Sequence, residues 1–181
     1  GTIFTMAGEQ YRYLENQGGG NHLIILNEIL SASFNSQNDR NNQWYSQLNL
    51  DVQAMVRPVS DTFTTGETGL GSVIIDAGFL PTNLYAFPEV MADESQVDSG
   101  GTPRAFSLSL ADVARLSGSD RAFPSNLERL ATGENGWWLR TPSTNIHAWN
   151  IFPDSGGLSD GGARDNMWGA RGTRPALIVH Q

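Results

Sequence analysis

Four of the five tryptophans of this 181-residue chain, Trp137, Trp138, Trp149 and Trp168, fall in its last 48 residues, interleaved with glycine, asparagine and aspartate. Each indole carries a large apolar surface that needs a packed neighbour. The runs that bear them are short and bounded by turn formers: Trp137-Trp138-Leu139-Arg140, Ala148-Trp149-Asn150-Ile151-Phe152 and the terminal Ala176-Leu177-Ile178-Val179. From residue 133 onward this predicts strands and turns. Pro175 suits a first-residue or edge position, where no ladder amide is required. A chain of this length forms one domain that buries roughly 70% of its unfolded surface. With 39% apolar and 17% charged residues it is neither disordered by composition nor a coiled coil.

The N-terminal part adds a hairpin and two helices. Tyr11-Arg12-Tyr13-Leu14 and His22-Leu23-Ile24-Ile25-Leu26 flank Asn16-Gln17-Gly18-Gly19-Gly20-Asn21, whose residues tolerate positive φ, so a β-hairpin is expected. Beyond a polar stretch from Asn35 to Asn42, Trp44, Leu48, Val52, Met55 and Val56 recur at steps of three and four. That spacing predicts one helix with a core-facing side, stopped by Pro58. Ser109-Leu110-Ala111-Asp112 has the form of a capping box, with Val113 and Leu116 on one face and Gly118 placed to end the helix in a left-handed conformation. Residues 59–104 predict long loops with one strand at Ser72-Val73-Ile74-Ile75. Glu89, Asp93, Glu94 and Asp98 form an acidic run without the ordered spacing of a calcium loop, and are expected as a solvated loop.

Composition narrows the function. There is no cysteine, which removes disulfides, thiolate metal sites and cysteine nucleophiles together. All 11 basic residues are arginine, against 19 acids, for a net charge of -8, so a nucleic-acid backbone is not an expected partner. The acidity is uneven: residues 1–133 hold fifteen acids and seven arginines, whereas residues 134–181 hold four of each. No apolar run reaches the roughly 20 residues of a membrane span. The start Gly1-Thr2-Ile3, without Met, suggests a trimmed chain or a piece of a larger protein.

Trp137-Trp138-Leu139-Arg140-Thr141-Pro142, the Gly/Asp/Asn-rich stretch after it and the closing Gly172-Thr173-Arg174-Pro175-Ala176-Leu177 resemble the C-terminal signature WWLR-[ST]-P…G-x-RPAL of a prokaryotic domain family. Gln43-Trp44-Tyr45 and Ala105-Phe106-Ser107-Leu108-Ser109 look like further features of it, so the resemblance covers most of the chain outside 59–104. It implies an α+β, C-type lectin-like fold with two helices, antiparallel sheets and long loops. It also implies a variable protein of a diversity-generating retroelement, in which miscopied template adenines scatter Asn-type codons of a C-terminal cassette into many residue types. On that reading residues 1–181 are a single domain, with framework at 1–140 and 172–181 and a candidate variable, ligand-binding region at 141–171. Trp137, Trp138, Arg140 and Arg174 are framework candidates, the two arginines anchoring loops through forked hydrogen bonds.

Between Arg140 and Arg174 lie the candidate ligand-binding residues Asn145, Ile146, His147, Trp149, Phe152, Asp154, Asp160, Arg164, Asp165, Asn166, Met167 and Trp168. Rigid aromatics, an arginine and adaptable polar groups on loops are the materials of binding surfaces. The pairs Gly156-Gly157 and Gly161-Gly162 are expected as turns that position the loops. The resemblance implies a protein or other surface molecule as ligand, display on a cell surface or virion, and neither cofactor nor metal. A non-diversified carbohydrate-binding module, stacking sugars on Trp149 or Trp168 with or without calcium, is the alternative. A hydrolase built on His147, Asp154 and Ser155 is remote, because no G-x-S-x-G elbow surrounds the serine. The formylglycine-generating relatives require cysteine chemistry, which this chain lacks.

Overall fold

The computed structural model describes residues 1–71, 75–76, 79–132, 135–165 and 171–181. Among these the strands are, in chain order, β1 (Ile3–Met6), β2 (Glu9–Gly18), β3 (Asn21–Leu26), β4 (Leu30–Ser31), β5 (Pro58–Val59), β6 (Ile75–Asp76), β7 (Leu80–Pro81), β8 (Thr102–Pro103), β9 (Gly136–Pro142), β10 (His147–Ile151), β11 (Leu158–Ala163), β12 (Arg171–Thr173) and β13 (Ala176–His180). The helices are α1 (Gln37–Ser46), α2 (Leu50–Met55), α3 (Pro88–Met91) and α4 (Leu110–Arg115), with 3-10 turns at Leu84–Ala86 and Asn126–Arg129. The architecture is mixed α+β.

The expected hairpin is β2–β3, turned by Gly18, Gly19 and Gly20 at φ 85, 60 and 77°, which glycine adopts without a Cβ penalty. β13 adds antiparallel to β3, giving a four-stranded sheet in the order β1-β2-β3-β13. This sheet is covered on both faces, which explains why Leu23-Ile24-Ile25-Leu26 is a continuous apolar run rather than an alternation. Leu23, Ile25 and Ile178 point into a cluster with Trp137, Leu139, Trp149, Ile151 and the α4 residues Leu110 and Val113. Ile24, Leu26, Leu177 and Val179 point the other way, onto Tyr11, Trp44 and Val56.

The second sheet has five strands in the order β11-β10-β9-β12-β4. Its pairs are antiparallel except β9–β12, which run parallel, a departure from the all-antiparallel expectation. That pairing is available because residues 143–170 separate the two strands in sequence, room enough for a crossover.

The helical expectations needed two adjustments. The periodic stretch from Trp44 to Val56 is not one helix but α1 and α2, broken where Asn49 turns its side chain to cap Asp51 N (2.8 Å). Trp44 and Val56 still meet in one cluster, so the periodicity reported a shared face across two elements. The capping box is present at α4, where Ser109 Oγ accepts from Asp112 N and the Asp112 carboxylate accepts from Ser109 N (3.0 Å each). The helix ends at Arg115, and Gly118 (φ 146°) shapes the turn beyond it. Four helices stand where two were expected, α3 being a single turn led by Pro88 within the otherwise loop-rich 59–104 segment. Of the expected strand at Ser72-Val73-Ile74-Ile75, residues 72–74 lie outside the described residues and Ile75 belongs to the short β6.

The acidic run is not wholly solvated. Asp93 is buried against Arg140, whose Nη2 lies 2.7 Å from Asp93 Oδ1 and whose Nη1 lies 3.2 Å from Asp112 Oδ2. Arg140 also donates to the Ser107 and Asp93 carbonyls (2.8 and 2.9 Å), tying β9 to α4 and to the 93–95 segment. Burial works to raise both carboxyl pKa values. At Asp93 it prevails over Arg140, leaving the group above its ordinary value. At Asp112 the pull of Arg140 and hydrogen bonds from Ser109 and Ser95 outweigh it, leaving the group below its ordinary 3.8. A depressed carboxyl stabilises the fold above its unfolded pKa and loses that contribution as pH falls through the folded value, so Asp112 favours the fold down to acid below pH 3.8. Asp93 acts in the opposite sense, contributing less as pH rises above 3.8. Removing the cation from two buried acids costs about 3–5 kcal/mol. Arg140→Met is therefore expected to lower the unfolding free energy by about that amount in urea titrations at neutral pH; a loss below about 1 kcal/mol would show that the network is not needed.

Candidate functional site

The described residues of 141–171 include β10 and β11, which pair in succession onto β9 in one sheet. Trp137, Trp138 and Trp149 are fully buried. Trp137 faces the inner cluster and donates its indole N–H to Arg129 O (3.0 Å). Trp138 faces outward into a second layer, where it donates to Ala32 O (3.2 Å) and takes the edge of Phe34 at a centroid distance of 6.0 Å. Arg171 lies over the Trp138 ring at 5.4 Å and near the Phe152 ring at 5.7 Å, its Nε held by Asn150 Oδ1 (2.8 Å). Asn150 in turn donates to Ser159 O (3.1 Å), locking β10 to β11. A Cβ on Gly162 would run into the Trp138 ring and come within 2.6 Å of Asn150 Nδ2. Gly161-Gly162 is accordingly part of β11 rather than a turn, and its role is to let a strand lie on an indole.

Arg174 is fully buried and donates to Leu26 O (2.6 Å), Arg129 O (3.1 Å) and Asn27 Oδ1 (3.2 Å), which ties β12 to the end of β3. Burial, with help from Arg12, pulls its pKa down to about 9. Arg140 and Arg174 thus anchor loops through forked bonds to carbonyls and carboxylates.

The candidate binding residues divide into two groups at opposite ends of β10. At one end, Asn145 and Ile146 are exposed, Ile146 by 61%, on a turn held by Thr144, whose Oγ1 accepts from Ile146 N and His147 N (3.2 and 3.0 Å). His147 is half-buried, with Nδ1 3.1 Å from the same hydroxyl. Arg164 clamps this turn by donating to His147 O (3.1 Å) and Thr144 O, stacks over Phe34 at 5.0 Å and reaches Glu67 (3.3 Å). Asp165 is exposed and accepts from Asn35 Nδ2. At the other end, Phe152 (41% exposed) and Asp154 flank a turn closed by Gly156, whose φ of 67° and position against Asn126 O exclude a side chain. Six residue steps of extended chain put Ile146 and Phe152 roughly 20 Å apart.

Several expectations change. Trp149 has 0% exposure, sits at the bulge between Ala148 and Asn150, and gives its indole N–H to Thr68 Oγ1 (3.0 Å), so it is core and cannot meet a ligand. Arg164 works as a clamp, and Asp160 accepts from Gly71 N (2.7 Å), so both are occupied internally. Asn166, Met167 and Trp168 lie outside the described residues. His147, Asp154 and Ser155 are not joined: Ser155 Oγ accepts from Gly157 N (3.2 Å), Asp154 is exposed and His147 bonds Thr144 at the far end of β10. Phe34, Asn35 and Glu67 are brought to the first group from distant sequence, and no local signal marked them. Among the described residues no group of three or more His, Asp or Glu is placed to hold a metal ion, and no helix is long and apolar enough to cross a membrane.

Compared with protein-family models, curated proteins and solved structures, the chain matches none.

The division into core and surface has measurable consequences. Trp149→Ala is expected to cost about 3–5 kcal/mol, as for other buried aromatics. Ile146→Ala and Asp154→Ala should stay within about 0.5 kcal/mol. Gly162→Ala is expected to cost about 1–3 kcal/mol through overpacking on Trp138. Chemical denaturation of the four variants checks this order, and a Trp149 variant as stable as the Ile146 variant overturns it.

Proposed function

We propose that this chain is a ligand-binding display protein with a C-type lectin-like fold whose 141–171 region is diversified by a retroelement, binding a protein or other surface molecule on a cell surface or virion. The observation that carries the reading is the segregation within one short stretch. Asn145, Ile146, Phe152, Asp154 and Asp165 present their side chains to solvent, while Trp137, Trp138, Trp149 and Arg174 beneath them are buried. Exposed positions over a packed framework can change identity at little cost in stability, which is what a diversified surface requires. The Thr144 hydroxyl and the Arg164 guanidinium hold one loop backbone and the Gly156 turn holds the other, so neither conformation depends on the side chains of Asn145, Ile146 or Asp154. The five exposed positions fall at both ends of β10, and Asn35 and Glu67 join them at the Ile146 end. No catalytic step belongs to this reading. The sugar-stacking alternative loses Trp149, whose ring faces the core.

Sequencing of the parent locus across isolates tests the proposal. A neighbouring template repeat is expected, with adenine-restricted differences concentrated at Asn145, Ile146, His147, Phe152, Asp154 and Asp165 and absent from Trp149. Differences spread evenly along the chain, without a template repeat, would overturn it.

A further inference from the structure

A cavity of about 400 Å³ lies between the first turn of α1 and the 61–65 segment, with Arg104 and Arg140 in its wall. The two arginines differ in how they are satisfied. Arg140 is engaged on every side by Asp93, Asp112, Ser95 and two carbonyls. Arg104 is only 9% exposed, yet among the described residues it makes one hydrogen bond, from Nη2 to Ser60 O, and its Nε is buried with no partner among them. Among the described residues no carboxylate lies within 4.0 Å of it; Asp61, which also lines the cavity, attracts it from beyond that distance, and its guanidinium lies 5.2 Å from the centre of the Phe63 ring. A guanidinium has five N–H donors, and leaving the buried Nε–H of Arg104 unmet is costly. Arg140 adds to the local positive potential.

A second observation points the same way. The first turn of α1 lines this cavity through Asn35, Gln37 and Asn38, and no side chain caps it. The N-cap hydroxyl of Ser36 is taken by Ser33, whose N–H donates to it (3.0 Å). Ser36 N and Gln37 N are met by Ser33 Oγ (3.2 Å) and Phe34 O (3.4 Å), so it is chiefly the positive end of the α1 dipole that faces the cavity. Asp39 in the first turn of α1 and Asp61 on the rim offset part of the positive field of Arg104 and the helix end, so the cavity suits at most a single negative charge. Asp61, exposed on the rim, disfavours a second.

We propose that this cavity is a carboxylate-binding site, with Arg104 as its anchor and Phe34 and Phe63 as walls for the carbon skeleton that bears the carboxylate. The site lies wholly outside 141–171 and goes beyond the proposed function, so either can fail without the other.

The test uses sodium propionate and sodium benzoate as probes, with sodium chloride at matched ionic strength and sodium phosphate as comparators. Either carboxylate is expected to raise the melting temperature of the chain above the chloride control, and to shift amide resonances of residues 35–38 saturably. Arg104→Gln is expected to weaken that binding by about tenfold or more, as for loss of a charge-assisted hydrogen bond. Gln37→Glu places a carboxylate in the cavity itself; it is expected to abolish propionate binding and to raise the melting temperature. Equal behaviour in propionate and chloride overturns the proposal, as does unchanged binding to the Arg104 variant. Tighter binding of phosphate than of either carboxylate overturns the assignment of a monoanion.

Discussion

The structure depends on β9 having no face turned to water. Trp137 and Leu139 fill the cluster shared with the four-stranded sheet, Trp138 fills the layer under Phe34 and Arg171, and Thr141 Oγ1 accepts from Leu110 N at the start of α4 (2.8 Å). A strand buried on both faces must still house any charge it carries, because an unpaired cation in such a place costs several kcal/mol. Arg140 is that charge, and Asp93 and Asp112 are recruited to it from two separate segments. The irregular 93–95 stretch and α4 are thereby placed by one side chain of β9.

The same logic runs through the other arginines and gives a physical reason for a chain with 11 arginines and no lysine. Arg104 and Arg140 lie over Phe63, Arg129 over Phe79, Arg164 over Phe34, Arg171 over Trp138 and Arg174 over Trp137. A planar guanidinium can stack on a ring with its faces while its edge donates to carbonyls; an ammonium is a compact, strongly hydrated charge that cannot do both. Arg174 shows the extreme, bonding two backbone carbonyls and an asparagine from full burial. Loops here are fixed by arginine forks in place of disulfides.

The surface over β10 follows from this internal anchoring. Arg164 spends its donors on the Thr144 and His147 carbonyls and Gly156 admits no side chain, so the turn that exposes Ile146 is held by an arginine fork and the turn that exposes Phe152 by a glycine. A stretch that reads as one cassette in sequence becomes two surfaces because a strand runs between them. The end near Ile146 gains Asn35 and Glu67 from far away in the chain, and the end near Asp154 gains Asn126 and Leu127.

What the sequence determined by itself was local. Gly18-Gly19-Gly20 set the hairpin, Ser109 with Asp112 set the α4 cap, Pro58 ended the helical stretch, and the Trp137-Trp138-Leu139-Arg140 and Ala176-Leu177-Ile178-Val179 runs set their strands, since φ preference, capping and apolar spacing act between near neighbours. Only the tertiary structure decided the rest. It paired β12 parallel to β9, buried Trp149, turned Asp93 from a solvated acid into the partner of Arg140, and left Arg104 Nε buried without a hydrogen-bond partner among the described residues. The composition of 141–171 showed that aromatic and polar side chains would crowd there, but not which face each took, because a bulge of one residue re-aims a side chain. Partners of buried charges are chosen across dozens of residues by packing geometry, and no periodicity within a segment encodes them.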